Sequence, residues 1–309
     1  MSSALHTRLC EILGIRHPII QTAMGWIATP EMVAACCNAG AIGFLATATV
    51  RAEEVDALIS RVEELTDRPF GVNFLMEAPG AELIVDTIIR HGVKAASYAR
   101  SPNPEFIKRF KDAGILCVPT CGAVRHAQKA VQLGADIVIV QGGEGGGHTG
   151  SVPTSILVPQ VVDAIDEPVV AAGGFSDGRG LVAALAFGAA GIAMGTRFLL
   201  TSESPMPAET AERYFAATVN DSSLVFGDVD FLSGTQHVDC DIFQFHAKIF
   251  RDHLAASQDR NVLQHGFTTI AETRCFHSCD FQAAAQFVHN QSRKRFAFNI
   301  FCDDEKWFL

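Results

Sequence analysis

The chain has 309 residues, a length that fits one large α/β barrel or two ordinary domains. Hydrophobic residues make up 48% of the sequence and charged residues 19%, so a large core is available and a disordered chain is excluded. The formal net charge is −10 and Lys and Arg form no dense run, which excludes a general binder of nucleic acid or of anionic membranes.

Short β-rich runs alternate with helix-length amphipathic stretches from residue 18 to about residue 217. The runs predicted to be strands are Pro18–Ala23, Ile42–Ala46, Phe70–Leu75, Lys94–Tyr98, Leu116–Pro119, Asp136–Gln141, Pro168–Ala172 and Gly191–Gly195. The helix patterns between them include Glu31–Asn38, Ala52–Leu65, Ala81–His91, Pro104–Asp112, Val124–Leu133, Ser155–Ile165 and Gly178–Phe187. Several of these patterns stop at a glycine, as a left-handed helix C-cap requires: Gly40, Gly92, Gly114, Gly134 and Gly188.

This rhythm predicts the fold class. Strand–helix alternation implies parallel strands joined by right-handed crossovers. Eight repeats favour a closed TIM (β/α)8 barrel over an open sheet, because closure leaves no edge strand. The alternative is an open Rossmann sheet, which expects Gly-x-Gly-x-x-Gly after the first strand, and Ala23-Met24-Gly25-Trp26 is not such a turn.

The composition and the hydrophobic pattern of the sequence change near Phe226. Strand–helix alternation is lost, Gly becomes scarce, and Phe, His, Gln and Asp accumulate. We therefore predict a barrel domain over residues 1–225 and a C-terminal extension over residues 226–309. The extension is either a helical cap or sequence that folds poorly, since its hydrophobic runs have no clear period.

Cysteine usage and hydropathy bear on the compartment. Nine cysteines is an odd number for a disulfide framework, and Cys36, Cys37 and Cys117 lie in apolar runs, which favours buried reduced thiols. The first residues lack the apolar core of a signal peptide, and no stretch reaches the ~18 apolar residues of a membrane span. We expect a cytoplasmic protein with no membrane partner.

The active site of a parallel barrel is built from the loops at the carboxyl ends of its strands. The residues found directly after predicted strands are Ala23-Met24-Gly25 after the first, Asn73 at the third, Gln141 and the glycine run to His148 after the sixth, Gly173-Gly174 after the seventh and Gly195-Thr196-Arg197 after the eighth. We expect these residues to surround one ligand site.

The glycine pairs after strands seven and eight point to an anion. Loops at these positions of many TIM barrels bind phosphate through backbone amides, which glycine allows to approach closely. The segment from Gly173 to Gly180 also leads into a helix, whose N-terminal partial charge suits an anion. The alternative is that paired glycines only form tight turns.

His148 ends a run of five glycines and one Glu, from Gly142 to Gly147. Each glycine carries an entropic cost of roughly 0.5–1 kcal/mol in regular structure, so such a loop is expected where backbone lies against a ligand. His148 is the only side chain between Gly145 and Thr149 that exchanges a proton near neutral pH, and we predict that it is catalytic. Glu144 is interpreted as a solvated loop carboxylate.

No metal site is expected. Cys275, His277 and Cys279 have loose metal-ligand spacing, but no second close ligand pair completes a zinc site.

Taken together, the motifs at the ends of the predicted strands resemble those of the nitronate monooxygenase family, formerly called 2-nitropropane dioxygenases. The resemblance runs over about residues 9–217 and rests on five motifs in order: Pro18-Ile-Ile-Gln-Thr-Ala-Met-Gly25, Gly71-Val-Asn-Phe74, Gln141-Gly-Gly-Glu-Gly-Gly-Gly-His-Thr-Gly150, Ala171-Ala-Gly-Gly-Phe-Ser-Asp-Gly-Arg-Gly180 and Met194-Gly-Thr-Arg-Phe198. It implies an FMN-dependent TIM barrel that oxidises alkyl nitronates, and nitroalkanes, with O₂ to a carbonyl compound and nitrite. The small-molecule partners implied are the nitronate or nitroalkane and O₂.

The resemblance also implies roles for single residues. His148 matches the family's active-site histidine, the proposed base for nitroalkanes. Around the flavin, Ala23, Met24 and Gly25 lie against the ring, Asn73, Thr120 and Gln141 hydrogen-bond it or the ribityl chain, Gly146 packs on it, and Gly173, Gly174, Gly195 and Thr196 hold the phosphate. Thr120 and Gln141 stand where some members carry Lys and Asp, and residues from about 226 onward do not resemble the family.

Three other functions stay open at this point. An FMN-dependent enoyl-thioester reductase using NAD(P)H shares the barrel, the glycine loops and the histidine. A flavin-binding protein without turnover is conceivable because of the aberrant C-terminal extension. A flavin-free phosphosugar isomerase also fits the barrel, although the glycine run before His148 suits a broad flat ligand better.

Overall fold

The structure, a computed structural model, describes residues 5–99, 102–147 and 151–217. Within them eight parallel strands close into a barrel in chain order, with β1 pairing both β2 and β8. The strands are β1 (Ile19–Gln21), β2 (Ile42–Ala46), β3 (Gly71–Asn73), β4 (Ala95–Ala99), β5 (Leu116–Cys121), β6 (Val138–Gln141), β7 (Val169–Ala172) and β8 (Gly191–Met194). The predicted TIM barrel is confirmed, strand by strand.

Helices follow the strands around the outside. They are α1 (Arg8–Leu13), α2 (Pro30–Asn38), α3 (Val55–Leu65), α4 (Ala81–His91), α5 (Pro104–Asp112), α6 (Val124–Gln132), α7 (Thr154–Val162), α8 (Gly178–Ala186), α9 (Thr196–Leu199) and α10 (Ala208–Ala216). The helix patterns read from the sequence correspond to α2 through α8. The pattern Ala52–Leu65 divides into a 3₁₀ turn, Ala52–Glu54, and α3. The sequence did not predict α1, α9 or α10.

Two local features show why elements end where they do. The glycines predicted to end helices have positive φ angles, from 63° at Gly92 to 103° at Gly134, which confirms the C-cap prediction. β6 begins two residues later than predicted, at Val138, because the Asp136 carboxylate accepts a hydrogen bond from Cys117 N at 2.8 Å. Asp136 therefore closes the turn before the strand.

Side chains alternate between the inside and the outside of the barrel. Ile20, Phe44, Val118, Ile139 and Ala172 are buried in one inner cluster. Alternate positions, such as Val138, Val140 and Ala171, belong to a different cluster that packs against the helices. Leu9 and Leu13 of α1 join the inner cluster, so this short helix covers the amino-terminal end of the barrel and leaves the carboxyl end for ligands.

Five cysteines among the described residues are buried and form no disulfide: Cys10, Cys36, Cys37, Cys117 and Cys121. Burial raises the pKa of the Cys37, Cys117 and Cys121 thiols to about 12. They are inert core residues, as expected for Cys36, Cys37 and Cys117. Within the described ranges, no helix has the length and apolarity needed to cross a membrane.

Two predictions fall beyond the described residues. His148 lies in the gap between residues 147 and 151, and the predicted extension over residues 226–309 lies after residue 217.

Gly71 sets the width of the barrel interior. A Cβ at this position would overlap the aromatic ring of Phe44 on the neighbouring strand. We expect Gly71→Ala to lower the free energy of unfolding by about 1–3 kcal/mol, through overpacking. Chemical denaturation measures the change. The double variant with Phe44→Leu, which vacates the clash, should lose less than the two single losses added together; strict additivity would contradict this account.

Candidate active site at the carboxyl end of the barrel

Asn73, Thr120 and Gln141 lie on the inner side of the barrel at the carboxyl ends of β3, β5 and β6. Thr120 and Gln141 each follow an inner-core residue, Val118 and Ile139, by two positions, so they point to the same interior. They are only partly buried, whereas the residues below them are buried. The structure thus brings these three predicted polar residues to the mouth of one barrel.

The Asn73 side chain is fixed by the next strand. Its Nδ2 donates to Ser97 O at 3.2 Å and to Ser97 Oγ at 3.3 Å, and Ser97 is buried. The Asn73 carbonyl accepts from Thr47 N at 3.1 Å and from Thr47 Oγ1 at 2.8 Å. Ser97 was missed in the sequence, although a polar residue at an inward position of β4 was the available signal. These bonds orient the amide at the barrel mouth.

The loop after β1 meets the end of β8. Thr22 N and Thr22 Oγ1 both donate to Met194 O, at 3.0 and 3.2 Å. A Cβ on Gly195 would lie 3.2 Å from Thr22 Oγ1 and 3.5 Å from Met24 Sδ. Met24, predicted to lie against the flavin ring, and Gly195, predicted to hold the phosphate, are therefore neighbours in the structure. Ala23 and Gly25 flank Met24 in the same loop, Ala23 partly buried and Gly25 buried.

Trp26 follows directly and has a φ of 60°, the one positive φ at a non-glycine position in the ranges described. A bulky residue held there costs of order 1–3 kcal/mol, which the surrounding structure must offset. Ile27 N and Ala28 N donate to Met24 O at 3.1 and 2.9 Å, and these bonds close the turn. The loop that presents Met24 is thus a tight, internally bonded turn.

The glycine run after β6 is held by hydrogen bonds. Gln141 Nε2 donates to Gly146 O at 2.6 Å, Gly145 N donates to Gly142 O at 2.9 Å, and Gly143 N donates to Val152 O at 2.7 Å. The side-chain amide of Gln141 therefore uses one of its hydrogens to hold the loop. Contact between Gln141 and the flavin stays a prediction. Gly146 is exposed at the top of the loop.

Glu144 corrects an interpretation made from the sequence. It is not a solvated loop carboxylate, because Oε2 accepts from Thr154 N at 2.7 Å and from Thr154 Oγ1 at 2.6 Å. Thr154 is the first residue of α7, whose free amides and partial positive charge favour an anion. The partner lies ten residues away, beyond the reach of local pattern reading.

Gly173 and Gly174 have φ angles of 102° and 80°, a backbone conformation that favours glycine. A Cβ on Gly173 would lie 2.9 Å from both Gly145 N and Thr154 Oγ1. Glycine at position 173 is thus already required by the turn and by its packing. The phosphate role of the pair stays a prediction.

Two of the amides at the start of α8 are already bonded within the protein, and the predicted contribution of this helix to anion binding stays a prediction. The Asp177 carboxylate caps this helix, accepting from Arg179 N at 2.9 Å and from Gly180 N at 3.3 Å. A carboxylate therefore already occupies the positive end of α8. α9 differs: Gly195 precedes Thr196 without any side-chain cap in the described structure.

Arg197, in the first turn of α9, adds positive charge at this end of the site. Its side chain is 4% exposed, and burial lowers the pKa of its guanidinium to about 9, against the opposing effect of Asp177. The guanidinium is charged at neutral pH. The sequence had placed Arg197 after the eighth strand without giving it a role.

These features fit a flavin mononucleotide. Glycines follow both β7 and β8, so backbone amides there are open to close approach by an anion such as a phosphate, and Arg197 follows β8 in the chain. Polar side chains at the inner ends of β3, β5 and β6 face the same opening. Within the described ranges, no three His, Cys, Asp or Glu side chains are grouped to bind a metal ion.

A family model described as nitronate monooxygenase matches residues 6–84 and 80–227. The chain belongs to the nitronate monooxygenase family. The matched residues include every predicted site residue, His148 among them. The match ends next to residue 226, near which the composition and hydrophobic pattern of the sequence change.

Relatives of this family member carry two different names. The chain is 52% identical over 222 residues to (3aS,4S,5R,7aS)-5-hydroxy-7a-methyl-1-oxo-octahydro-1H-indene-4-carboxyl-CoA dehydrogenase of Rhodococcus jostii, which covers 72% of this chain and 63% of the relative. It is 34% identical over 247 residues to a probable nitronate monooxygenase of Staphylococcus saprophyticus, which covers 65% of this chain and 70% of the relative. The chain thus spans less than two thirds of the dehydrogenase.

Solved structures agree on the fold. A mutant of FabK from Thermotoga maritima superposes with a TM-score of 0.69 at 34% identity, covering 71% of this chain and 74% of that one. Nitroalkane oxidase from Streptomyces ansochromogenes superposes with a TM-score of 0.65 at 30% identity, covering 70% and 75%. This family member is therefore a flavin-type oxidoreductase with a TIM barrel.

The phosphate prediction is testable at Gly195. Its φ angle is negative, at −111°, and an added Cβ would lie 3.2 Å from Thr22 Oγ1 and 3.5 Å from Met24 Sδ, a tight contact but not an overlap. We expect Gly195→Ala to fold with little change in melting temperature but to bind FMN at least tenfold more weakly, about 1.4 kcal/mol. Riboflavin, which lacks the phosphate, should bind both proteins equally. Equal weakening for the two flavins would contradict a phosphate site at Gly195.

Proposed function

We propose that this chain uses FMN to oxidise the CoA thioester of a ring carboxylic acid. The observation that carries the proposal is that this chain is more similar in sequence to the carboxyl-CoA dehydrogenases than to the probable nitronate monooxygenases. Identity is 52% and 51% to the carboxyl-CoA dehydrogenases of Rhodococcus jostii and Mycobacterium tuberculosis, against 34% to the staphylococcal probable nitronate monooxygenase. The barrel motifs serve the flavin in either case, so overall identity is the better guide to substrate.

In this proposal the chain's own residues hold and orient the flavin, which accepts two electrons from the substrate. Ala23, Met24 and Gly25 would lie against the ring, and Gly146 would pack on it. The polar residues Asn73, Thr120 and Gln141 bond the ring or the ribityl chain, and Gly173, Gly174, Gly195 and Thr196 hold the phosphate. Arg197 adds charge to that end.

His148 is the proposed proton-transfer residue. In the sequence it directly follows Gly147, the last described residue of the glycine run. A histidine there suits removal of a proton from a carbon made acidic by a thioester carbonyl or by a nitro group.

We propose further that residues 1–225 form the catalytic barrel and residues 226–309 a separate extension. The end of the family match at residue 227 supports this boundary. The buried free thiols support a reducing compartment, the cytoplasm.

Nitronate monooxygenase activity is the second candidate. It is favoured by the family match and by the 30% identity to a nitroalkane oxidase of solved structure. In that reaction the substrates are an alkyl nitronate or nitroalkane and O₂. An enoyl-thioester reductase would use the same class of thioester and run the electrons the other way, from NAD(P)H to the substrate.

One set of assays separates these candidates. Purified protein should be yellow and release FMN on denaturation. Under anaerobic conditions a ring carboxyl-CoA thioester should bleach the flavin, whereas propyl nitronate with O₂ should give little oxygen uptake. Rapid nitronate-dependent oxygen uptake would favour the second candidate, and bleaching by NADPH the reductase. Protein that is colourless and cannot be reconstituted with FMN would overturn all three.

His148→Ala tests the proton-transfer assignment. We expect FMN binding to be retained and thioester-dependent bleaching to slow by about 10²–10⁴-fold, the usual contribution of a general base. His126→Ala, an exposed helix residue, is the matched control. If nitroalkanes prove to be substrates, their turnover should be lost while nitronate turnover changes less, since a nitronate is already deprotonated. Unchanged turnover in His148→Ala would remove it from the mechanism.

A further inference from the structure

Thr154 sits where three segments of the candidate site meet. Its side chain is 4% exposed, at the start of α7. A Cβ on Gly142, in the loop after β6, would overlap Thr154 Oγ1, and a Cβ on Gly173, after β7, would lie 2.9 Å from it. Two glycines thus leave room for one buried hydroxyl. Packing against Thr154 is therefore one reason for the glycines at these two positions.

The hydrogen of that hydroxyl goes to Glu144. Thr154 Oγ1 lies 2.6 Å from Glu144 Oε2, against 3.2 Å from Gly173 O and 3.4 Å from Ala172 O. A hydroxyl has one hydrogen to donate, and a bond to a carboxylate is shorter and stronger than one to a carbonyl. The same Oε2 accepts Thr154 N at 2.7 Å. Two donors of a single residue therefore hold one carboxylate oxygen.

The bonds around Glu144 fix the loop at both its ends. On one side Gly142 N donates to Ala172 O at 3.1 Å, and on the other Gln141 Nε2 reaches Gly146 O. Glu144 stands between them and ties the middle of the loop to α7. Glu144 is the one residue between Gly142 and Gly147 that has a side chain, so its contact with Thr154 is the only side-chain anchor that this run itself supplies.

We infer that Glu144 is the positioning residue of this loop, and that its clamp on Thr154 sets the loop against the flavin. Glu144 acts through the loop backbone and touches no reacting atom. The part of this inference that concerns flavin rests on the proposed function, whereas the clamp itself concerns only the protein.

The chain offers matched variants. Thr154→Val removes the hydroxyl but keeps the branched shape and the backbone amide, and Thr154→Ser restores the hydroxyl. Glu144→Gln keeps an acceptor and removes the charge. Glu105→Gln is the control, because Glu105 is an exposed carboxylate in the first turn of α5, which like α7 has nine residues.

The first measurement is hydrogen exchange of the amides of residues 142–147 in protein without added flavin. Thr154→Val should raise exchange at Gly143 and Gly145 about tenfold, the size expected for one charge-assisted bond. Glu144→Gln should raise it less, and Thr154→Ser and Glu105→Gln should match the wild type. Because one contact is shared, the double variant Glu144→Gln/Thr154→Val should exchange no faster than Thr154→Val alone. Unchanged exchange in both Thr154→Val and Glu144→Gln would overturn the clamp.

The second measurement is the FMN dissociation constant, from flavin fluorescence. Thr154→Val should raise it about tenfold, and Thr154→Ser should restore the wild-type value. Faster loop exchange with unchanged FMN binding would overturn the link to the flavin. A wild-type protein that binds no FMN, yet shows the predicted exchange differences, would refute the proposed function and leave the clamp standing.

Discussion

Closure of eight short parallel strands is the constraint on which the rest of this structure depends. Several strands have only three or four residues, so each has one or two inward side chains, and the interior must be filled by few residues. The Phe44 side chain occupies part of this interior, and Gly71, which has no side chain, leaves room for the Phe44 ring. Because the strands are parallel, closure also brings all eight carboxyl ends into one ring. The residues that follow the strands become neighbours there although they are far apart in the chain.

At that ring, hydrogen bonds of the backbone hold the loops in place, a role that side chains often have elsewhere. The loop after β6 and the loop after β1 are each held by hydrogen bonds from their own backbone or from a neighbouring strand. Side chains enter at a few points, at Glu144 on Thr154 and at Asn73 on Ser97. A surface of this kind presents a flat, amide-rich wall. Such a wall suits a planar cofactor carrying a phosphate.

What the sequence could predict follows from what is local. The strands and the helices between them were found because hydrophobic period and glycine C-caps are properties of neighbouring residues. The end of the sixth predicted strand also placed Gln141 at the mouth, whereas Thr120 came from the family resemblance alone. The capping role of Asp177 could have been predicted from the sequence, since an Asp directly before a helix that begins at Gly178 is a typical N-cap signal. The six-residue helix α1 offers too little length for a period.

The residues that local reading could not place depend on contacts across the chain. Glu144 meets Thr154 where the loop after β6 returns to α7, Ser97 meets Asn73 through the pairing of β3 with β4, and Arg197 lies near Asp177 because each follows one of the paired strands β8 and β7. Substrate choice is a further step removed. The motifs describe where a flavin would lie, and they occur in a family whose members are named both for nitronates and, at higher identity, for CoA thioesters. Discrimination between a small nitronate and a bulky thioester must therefore lie in side chains outside the shared backbone wall.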